Sequence, residues 1–344
     1  MKALLYEEFA GPLELRDLPA PDPAPGGVVV RVGASGICRS DWHGWLGHDP
    51  DIVPPHVPGH ELAGTVEAVG EEVRLWRAGD RVTVPFACAC GRCPRCAAGD
   101  QQVCDHQTQP GFTHWGSFAE LVALDAADVN LIRLPHELSF AAGASLGCRY
   151  ATSFRAVVHQ GRVRPGQWLA VHGCGGIGLS AVQIAVAAGA RVIAVDISAG
   201  ALSFARDLGA EVTIDAGAVS DVAGSIIGAT GGGAHVSMDA LGSADTCVGS
   251  VSCLRPRGRH VQVGVLPPAQ GRPLVPMDRV MSLELEVIGS HGMAARHYLE
   301  MLALVSAGRL DPLALVTRQL PLEEAGDALR QVGSQPGIAV ITSF

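Results

Sequence analysis

The sequence predicts an α/β protein in which a β-rich part accompanies a doubly wound parallel sheet. Short runs rich in β-branched residues, such as Val28–Val32 and Thr65–Gly70, predict small strands in the first half of the chain. From Gln167 onward, segments typical of strands alternate with segments typical of helices, which is the pattern of a parallel sheet covered by helices. The chain has 344 residues, of which 48% are hydrophobic and 43 are glycine. It can therefore bury two cores and supply tight turns between strands and helices.

The first β-rich segment leads to a pair of candidate metal ligands. Cys38 follows the strand at Val28–Val32 and offers a thiolate, and His60 follows a loop and offers an imidazole. Asp41 and Glu61 are carboxylates close enough in sequence to support these ligands by hydrogen bonds. This arrangement indicates half of a catalytic metal site.

The next element is a short lobe with four regularly spaced cysteines. Cys90, Cys93 and Cys96 are three residues apart, and Cys104 follows eight residues later. Four thiolates at this spacing can surround one zinc ion tetrahedrally, and so polar a lobe has little core of its own. The spacing therefore predicts a structural zinc site, with the neighbouring Cys88 unassigned.

An apolar block from Ala141 to Val158 follows, and it contains Cys148. Its helical spacing of small and apolar residues ordinarily indicates core packing. Alternatively, Cys148 is a third protein ligand beside Cys38 and His60, which leaves a fourth position for water or substrate. Spacing alone does not choose between these two interpretations.

A glycine-rich turn introduces the second half of the chain. Trp168–His172 predicts a strand, and a helix is predicted from Leu179 to about Gly189. Glycines in such a turn allow a pyrophosphate to approach the backbone, while the helix N-terminus supplies N–H groups and partial positive charge. The sequence thus predicts a dinucleotide site with these glycines: Gly173, Gly175, Gly176 and Gly178.

The next strand, Arg191–Val195, ends in an acidic residue, Asp196. Its carboxylate would accept hydrogen bonds from the adenosine ribose hydroxyls and would repel a 2′-phosphate. No arginine follows before Arg206, so the sequence favours NAD over NADP. The alternative is that Asp196 caps a helix or closes a turn.

The remaining elements complete the sheet and return the chain to its first part. Glu211–Ile214, His235–Met238 and Arg259–Val263 predict further strands. A helix at His297–Ala307 and a final strand at Gly337–Thr342 then suggest a return to the β-rich part.

Charge and hydropathy restrict the class of partner. The net charge is −9, the isoelectric point is about 5.8 and no basic stretch occurs, so neither nucleic acid nor an anionic membrane is expected as the partner. Lys2 is the only lysine, and any fixed cationic contact must therefore come from arginine. These properties favour a role with small molecules.

The same properties predict a cytoplasmic protein. Glu7 and Glu8 interrupt the N-terminus before an apolar core of signal-peptide length develops. The most apolar segment, Leu169–Val195, is broken by polar residues and glycines. In a reducing compartment, ten cysteines indicate metal binding rather than disulfides.

Together these motifs resemble the medium-chain, zinc-dependent alcohol dehydrogenase family across nearly the whole chain. Gly59-His60-Glu61-x-x-Gly64 with Gly70 matches the family's zinc signature, and the motifs also occur in the family's order. The resemblance implies a GroES-like β-barrel catalytic domain at 1–150 and 290–344, which carries the structural-zinc lobe at 88–104. It implies a Rossmann dinucleotide-binding domain at 151–289.

The resemblance also implies roles for individual residues. The catalytic zinc ligands would be Cys38, His60 and Cys148, with Glu61 as a carboxylate that can approach the metal and Asp41 as the partner of the histidine ligand. The structural zinc ligands would be Cys90, Cys93, Cys96 and Cys104. The implied relay, cofactor and substrate residues are Ser40 and His43 for the proton relay, Arg39, Thr152, Ile177, Val263 and Val265 for the cofactor, and Phe86 and Trp115 for the substrate pocket.

Two departures from the family pattern concern the cofactor. The family often has a lysine five residues after the ribose-binding acid, where this chain has Ala201. It often has an arginine near the last strand, where this chain has Pro336–Ala339. Both losses would weaken cofactor binding, so Arg39 is expected to carry more of the pyrophosphate charge.

The predicted reaction is hydride transfer between an alcohol and NAD, which interconverts primary or secondary alcohols with aldehydes or ketones. Two zinc ions per subunit are expected, one catalytic and one structural. A polyol dehydrogenase of the same superfamily is an alternative, although its third ligand is commonly glutamate rather than a cysteine such as Cys148. A zinc-stabilised NAD-binding sensor without turnover is a second alternative, but it predicts an eroded catalytic site. A homodimer or homotetramer is implied only by the resemblance.

Overall fold

The computed structural model describes residues 1–266 and 272–344. Strands and helices alternate along most of this length. In chain order the strands are β1 (Lys2–Leu5), β2 (Glu14–Asp17), β3 (Val28–Ile37), β4 (Glu61–Val69), β5 (Arg81–Thr83), β6 (Leu121–Leu124), β7 (Ile132–Arg133), β8 (Trp168–His172), β9 (Arg191–Asp196), β10 (Val212–Asp215), β11 (Ala234–Asp239), β12 (Leu254–Gln262), β13 (Glu286–Gly289), β14 (Val316–Pro321) and β15 (Ile338–Ser343).

The α-helices are short in the β-rich part and longer between the parallel strands. They are α1 (Arg39–Trp45), α2 (Pro94–Ala98), α3 (Ala127–Asn130), α4 (Phe140–Ser145), α5 (Ala151–Phe154), α6 (Gly176–Ala187), α7 (Ala199–Asp207), α8 (Val222–Thr230), α9 (Ala244–Ser252), α10 (Met277–Ser282), α11 (Tyr298–Ser306) and α12 (Ala325–Arg330). Two π-helical turns, Leu146–Tyr150 and Arg155–Gln160, flank α5.

A mixed sheet in the order β14-β15-β3-β4-β5-β7, with β6 also paired to β3, forms the β-rich part. β3 and β4 are antiparallel, and Gly36 near the end of β3 pairs with Glu61 at the start of β4. Cys38 and His60, which lie just outside these two strands, therefore emerge at the same edge of the sheet. This pairing brings the first two candidate ligands together.

The second sheet is parallel throughout, in the order β10-β9-β8-β11-β12-β13. The strand order reverses between β8 and β11, and α6 begins at Gly176, close to the end of β8. Doubly wound sheets bind ligands at the carboxyl ends of their strands at such a reversal. The predicted combination of a β-rich part with a doubly wound sheet is confirmed, while the domain boundaries stay a prediction.

Arg39–Trp45, directly after Cys38, is helical, and the Asp41 side chain accepts a hydrogen bond from the backbone N–H of Cys38 at 2.9 Å. One local expectation was wrong. The first helix of the parallel sheet begins at Gly176 rather than Leu179. Glycine is a poor helix former, so sequence reasoning placed these residues in the turn.

The segment 140–160 connects the two parts through one hydrophobic core. Its Tyr150 and Phe154 are fully buried together with Ala63 of β4 and Val171 of β8. The core-packing interpretation of this apolar block is therefore correct, and the block also brings Cys148 between the two sheets. Within residues 1–266 and 272–344, no helix has both the length and the apolar character needed to cross a bilayer.

Candidate metal centre and cofactor cleft

Four buried side chains meet between the two sheets. Ligand atoms of Cys38, His60, Glu61 and Cys148 all lie within 4.8 Å of one another, and each residue is at most 7% exposed. The structure thus brings Cys148 to the pair predicted from the first motif. Interaction with the Cys148 thiol lowers the pKa of Cys38 well below its usual value, even though burial opposes this.

Asp41 fixes the orientation of the His60 ring. Its Oδ1 accepts hydrogen bonds from His60 Nδ1 at 2.8 Å and from the backbone N–H of Gly59 at 3.1 Å. Because Nδ1 carries the shared proton, the other ring nitrogen, Nε2, is left to face the cluster. Burial by itself lowers the pKa of His60, but the charge and hydrogen bond of Asp41 together with those of Cys38 outweigh burial and raise that pKa well above its usual value.

His60 Nε2 is buried and has no hydrogen-bond partner within the described part of the chain. A buried ring nitrogen without a partner is costly, and here it faces two thiols and lies beside a carboxylate that favours positive charge. A zinc ion bound by one nitrogen and two thiolates satisfies all three groups at once. The residues present therefore fit a metal ion.

We expect Asp41→Asn to weaken zinc binding at this cluster by about 10- to 100-fold, because the carboxylate that orients the ligand ring and increases its basicity is lost. Competition with a chromophoric chelator measures this affinity. The control is Asp51→Asn, which makes the same substitution at an exposed aspartate in the loop after α1. Equal affinities in the two variants would show that Asp41 does not act through His60.

Arg149, which sequence reasoning did not identify, forms a buried ion pair with Glu61. Its Nε lies 2.9 Å from Glu61 Oε1, its Nη2 bonds Oε2, and its Nη1 donates to the carbonyl oxygen of Ile37 at 3.0 Å. Burial disfavours the guanidinium charge, but Glu61 outweighs this and raises the pKa of Arg149. Burial also raises the pKa of Glu61, which Arg149 opposes. The pair holds Glu61 beside the cluster.

A π-helical turn explains how one segment supplies both Cys148 and Arg149. Both residues lie in the turn Leu146–Tyr150, and the Arg149 backbone N–H also donates to Glu61 Oε1 at 3.1 Å. π-turns are frequent at functional sites. Because the Glu61 carboxylate accepts hydrogen bonds from both the backbone and the side chain of Arg149, it also restricts the position of the adjacent Cys148.

The four-cysteine lobe forms a second candidate metal centre. The sulfur atoms of Cys90, Cys93, Cys96 and Cys104 lie within 4.8 Å of one another. Cys93 Sγ is 3.5 Å from Cys96 Sγ and 3.7 Å from Cys104 Sγ. Tetrahedral zinc with Zn–S bonds of about 2.3 Å separates its sulfurs by about 3.8 Å. The backbone N–H of Cys96, together with other nearby N–H groups and thiols, lowers the pKa of Cys93 to about 6.

The predicted relay residues lie on α1, directly after Cys38. Ser40 Oγ is 3.8 Å from Cys38 Sγ, and His43 lies one helical turn further along. His43 Nδ1 is 3.0 Å from Nδ1 of His48, an exposed residue. Burial and the neighbouring charges of Arg39 and His48 lower the pKa of His43. Ser40 therefore contacts the cluster and His43 contacts a surface residue, while their relay role stays a prediction.

Two aromatic rings pack against His60. The ring centroids of Phe86 and Phe112 lie 6.1 and 5.2 Å from that of the imidazole. Phe86 was predicted to line the substrate pocket, whereas Phe112 was missed because no local pattern distinguishes it from a packing residue. The indole of Trp115 donates to the carbonyl oxygen of Pro55 and is 37% exposed, and its place in the substrate pocket stays a prediction.

The glycine-rich turn is held tightly between β8 and α6. Gly173 has a φ of 92°, which favours glycine, and a Cβ on Gly178 would overlap the carbonyl oxygen of Gly173. Gly175 precedes the helix, and Gly176 packs against the Arg149 side chain. The turn therefore keeps its backbone N–H groups at a helix N-terminus beside the metal cluster.

Among the other predicted cofactor residues, Asp196 bonds this turn directly. Asp196 Oδ2 accepts from the N–H of Cys174 at 2.7 Å, and its Oδ1 accepts from Ser198 at 2.8 Å. Thr152 is buried, and its hydroxyl has no partner among the residues described. Arg39 is exposed, and its guanidinium carbon lies 5.5 Å from the centre of the Trp42 ring. Ile177 lies in α6. Val263 and Val265 follow β12, and Val265 is exposed.

Comparisons with known proteins agree with this arrangement. Residues 24–136 match the model of the alcohol dehydrogenase GroES-like domain, and residues 176–307 match that of the zinc-binding dehydrogenases. An alcohol dehydrogenase of Geobacillus stearothermophilus is 34% identical, over 95% of this chain and 94% of its own. An alcohol dehydrogenase of Moraxella sp. (strain TAE123) is 35% identical, over 96% of both chains.

Solved structures give the same result. Alcohol dehydrogenase TADH from Thermus sp. ATN1 superimposes with a TM-score of 0.91 at 31% identity and covers 100% of both chains. The alcohol dehydrogenase of Aeropyrum pernix has a TM-score of 0.89 at 30% identity, over 99% of this chain and 100% of its own. The family resemblance and the GroES-like and Rossmann fold classes are thereby confirmed. The chain belongs to the medium-chain, zinc-dependent alcohol dehydrogenase family.

Proposed function

We propose that this enzyme oxidises primary or secondary alcohols to aldehydes or ketones with NAD, using one zinc ion held by Cys38, His60 and Cys148. The observation that carries the proposal is the buried His60 Nε2, which has no partner in the described chain and shares a cluster with two thiols. Three protein ligands leave a fourth position for substrate. The second zinc would be held by the four-cysteine lobe, where it would stabilise a segment with little core of its own.

Zinc supplies a redox-inert Lewis acid that polarises a substrate oxygen, and NAD accepts the hydride. The protein positions these groups. Asp41 keeps the ring of His60 in the ligating orientation, and Arg149 holds Glu61 in an ion pair. Phe86 and Phe112 cover the imidazole and exclude water from its apolar side. The cleft would therefore combine a metal site that polarises the substrate oxygen with an apolar side from which water is excluded.

The proton of the alcohol leaves along α1 in this proposal. Ser40 Oγ lies beside Cys38 and can accept a hydrogen bond from the substrate hydroxyl. As Ser40 gains this proton it gives up its own hydroxyl proton, and His43 is the final acceptor at one ring nitrogen. A ribose hydroxyl of NAD, when bound, would lie between Ser40 and His43. Nδ1 of His43 shares a hydrogen bond with His48 at the surface. His43 has a pKa below the usual value for histidine, so at neutral pH it is unprotonated and able to accept.

NAD is favoured over NADP by Asp196. Each oxygen of its carboxylate accepts one backbone N–H and keeps a further lone pair that can receive a ribose hydroxyl. A 2′-phosphate at this position would meet a negative charge instead. We also propose that the enzyme is a homodimer or homotetramer and that it is cytoplasmic. None of its ten cysteines is in a disulfide, which suits a reducing compartment.

The test is to follow NADH formation by absorbance with primary, secondary, benzylic and polyhydroxy alcohols. We expect turnover by the zinc-loaded enzyme, loss of turnover after chelation, and recovery when zinc is restored. The rank order of alcohols then distinguishes simple alcohols from polyols. Absence of turnover with every alcohol, by protein shown to bind both zinc and NAD, would contradict the proposal.

A further inference from the structure

A cavity of about 550 Å³ lies between the four-cysteine lobe and the edge of the parallel sheet. Gln262 and Gly289, the last residues of β12 and β13, line one side, and Gln102 of the lobe lines the other. The carboxyl ends of parallel strands are where doubly wound folds bind ligands. The volume is also within the range of small-molecule sites.

One aromatic ring separates this cavity from the candidate catalytic metal centre. The Phe86 ring lies 6.1 Å from the ring of His60 and 5.2 Å from the ring of His291, which lines the cavity. Phe86 therefore forms a wall that the metal centre and the cavity share.

The cavity contains a half-buried cation, Arg155, without an acidic partner. Its Nη1 lies 3.5 Å from Ser290 Oγ. When the amide of Gln160 is placed with its oxygen towards the guanidinium, that oxygen accepts from Nη1 and Nη2 at 2.6 and 3.0 Å. Across residues 1–266 and 272–344, no carboxylate lies within ion-pair distance of Arg155, although Asp100 is part of the same wall.

Neighbouring arginines in this part of the structure do have acidic partners. Arg162 and Arg259 both pair with Glu286, and Arg149 pairs with Glu61. Burial lowers the pKa of Arg155, and the charge of Asp100 opposes this only in part. A guanidinium that has lost hydration and gained only neutral partners can recover interaction energy from an anionic ligand. Carboxylates match the planar guanidinium in two parallel hydrogen bonds.

We propose that this cavity binds the anionic end of the substrate, so that the preferred substrates are ω-hydroxycarboxylic acids rather than simple alcohols. The hydroxyl reacts at the His60 cluster, the alkyl chain passes Phe86, and the carboxylate binds Arg155. Gln102 and Ser290 supply neutral hydrogen-bonding groups around it. This inference rests on the proposed alcohol oxidation.

The test compares ω-hydroxyhexanoate with its methyl ester, which has the same reacting end but no charge. We expect the wild-type enzyme to favour the acid in kcat/KM by about tenfold or more, as for one charged hydrogen-bonded contact. Arg155→Met should remove this preference by raising KM for the acid while kcat/KM for the ester stays within about twofold. Arg155→Lys should restore part of it, and Arg164→Met, at an exposed arginine nearby, should leave it unchanged.

The possible outcomes separate this inference from the proposed function. If the ester is oxidised and the acid is not preferred, the anion site is wrong while alcohol oxidation stands. If neither compound is oxidised, the proposed function fails first. If Arg155→Met instead raises KM for NAD with both substrates, Arg155 serves a cofactor phosphate and the substrate site is overturned. If Arg155→Met lowers kcat/KM equally for the acid and the ester while KM for NAD is unchanged, Arg155 has a structural role and the substrate site is again overturned.

Discussion

Cys148→Ser is expected to lower alcohol turnover by about a thousand-fold or more and to reduce the zinc content from two ions per chain to one. A neutral serine hydroxyl is a poor zinc ligand. Without the Cys148 thiolate, the proposed ligand set keeps only Cys38 and His60, beside a Glu61 carboxylate that is held by Arg149. Without the metal, the substrate hydroxyl keeps a pKa several units higher, and each unit corresponds to about tenfold in the reactive anion. Elemental analysis and steady-state kinetics measure the two effects.

Cys247→Ser provides the matched control for this prediction. Cys247 is also a buried free cysteine, but it lies on α9 and belongs to neither cluster. We expect it to retain two zinc ions per chain and nearly full turnover. A Cys148→Ser protein that kept both ions and lost less than tenfold in turnover would remove Cys148 from the ligand set. A single remaining ion that resists mild chelation would identify the lobe as the tighter site.

The part of the site that sequence reasoning could predict is the part encoded by local spacing. The cysteines of the lobe fall within fifteen residues, and the glycine-rich turn directly follows a strand of fully buried residues. In both cases the chain folds back on itself within a few residues, so spacing alone constrains geometry. The antiparallel pairing of β3 with β4 then places His60 beside Cys38.

The part that sequence reasoning missed depends on contacts between distant segments. Arg149 and Glu61 are separated by 88 residues, and only the π-turn at Leu146–Tyr150 brings the guanidinium to the carboxylate. A buried arginine in an apolar helical block has no local signal for its partner.

The early start of α6 has a different physical reason. Two glycines in its first turn argue against a helix by propensity, yet Gly178 is required there because any side chain would meet the Gly173 carbonyl. The close packing of helix against strand outweighs the propensity cost. Tertiary packing therefore decided the boundary that local preference placed three residues later.

Arg149→Met is expected to destabilise the zinc-loaded protein by about 3–5 kcal/mol, because it leaves the Glu61 carboxylate buried without its cation. Glu61 is 0% and Arg149 5% exposed, so water cannot replace the lost partner. The free energy of unfolding, measured by urea denaturation at fixed protein and zinc concentrations, checks this value. Arg318→Met breaks an exposed pair with Glu324 and should cost at most about 1 kcal/mol.

The double variant Glu61→Gln with Arg149→Met separates the charge from the shape of the pair. Removing both charges abolishes the uncompensated carboxylate, so we expect most of the lost stability to return. If the double variant is as unstable as Arg149→Met alone, the destabilisation comes from lost packing against Gly176 and the lost hydrogen bond to Ile37 instead. If Arg149→Met costs no more than Arg318→Met, the buried pair does not stabilise the fold. A large loss that the double variant reverses would establish that Arg149 is retained to neutralise the carboxylate beside the metal ligands.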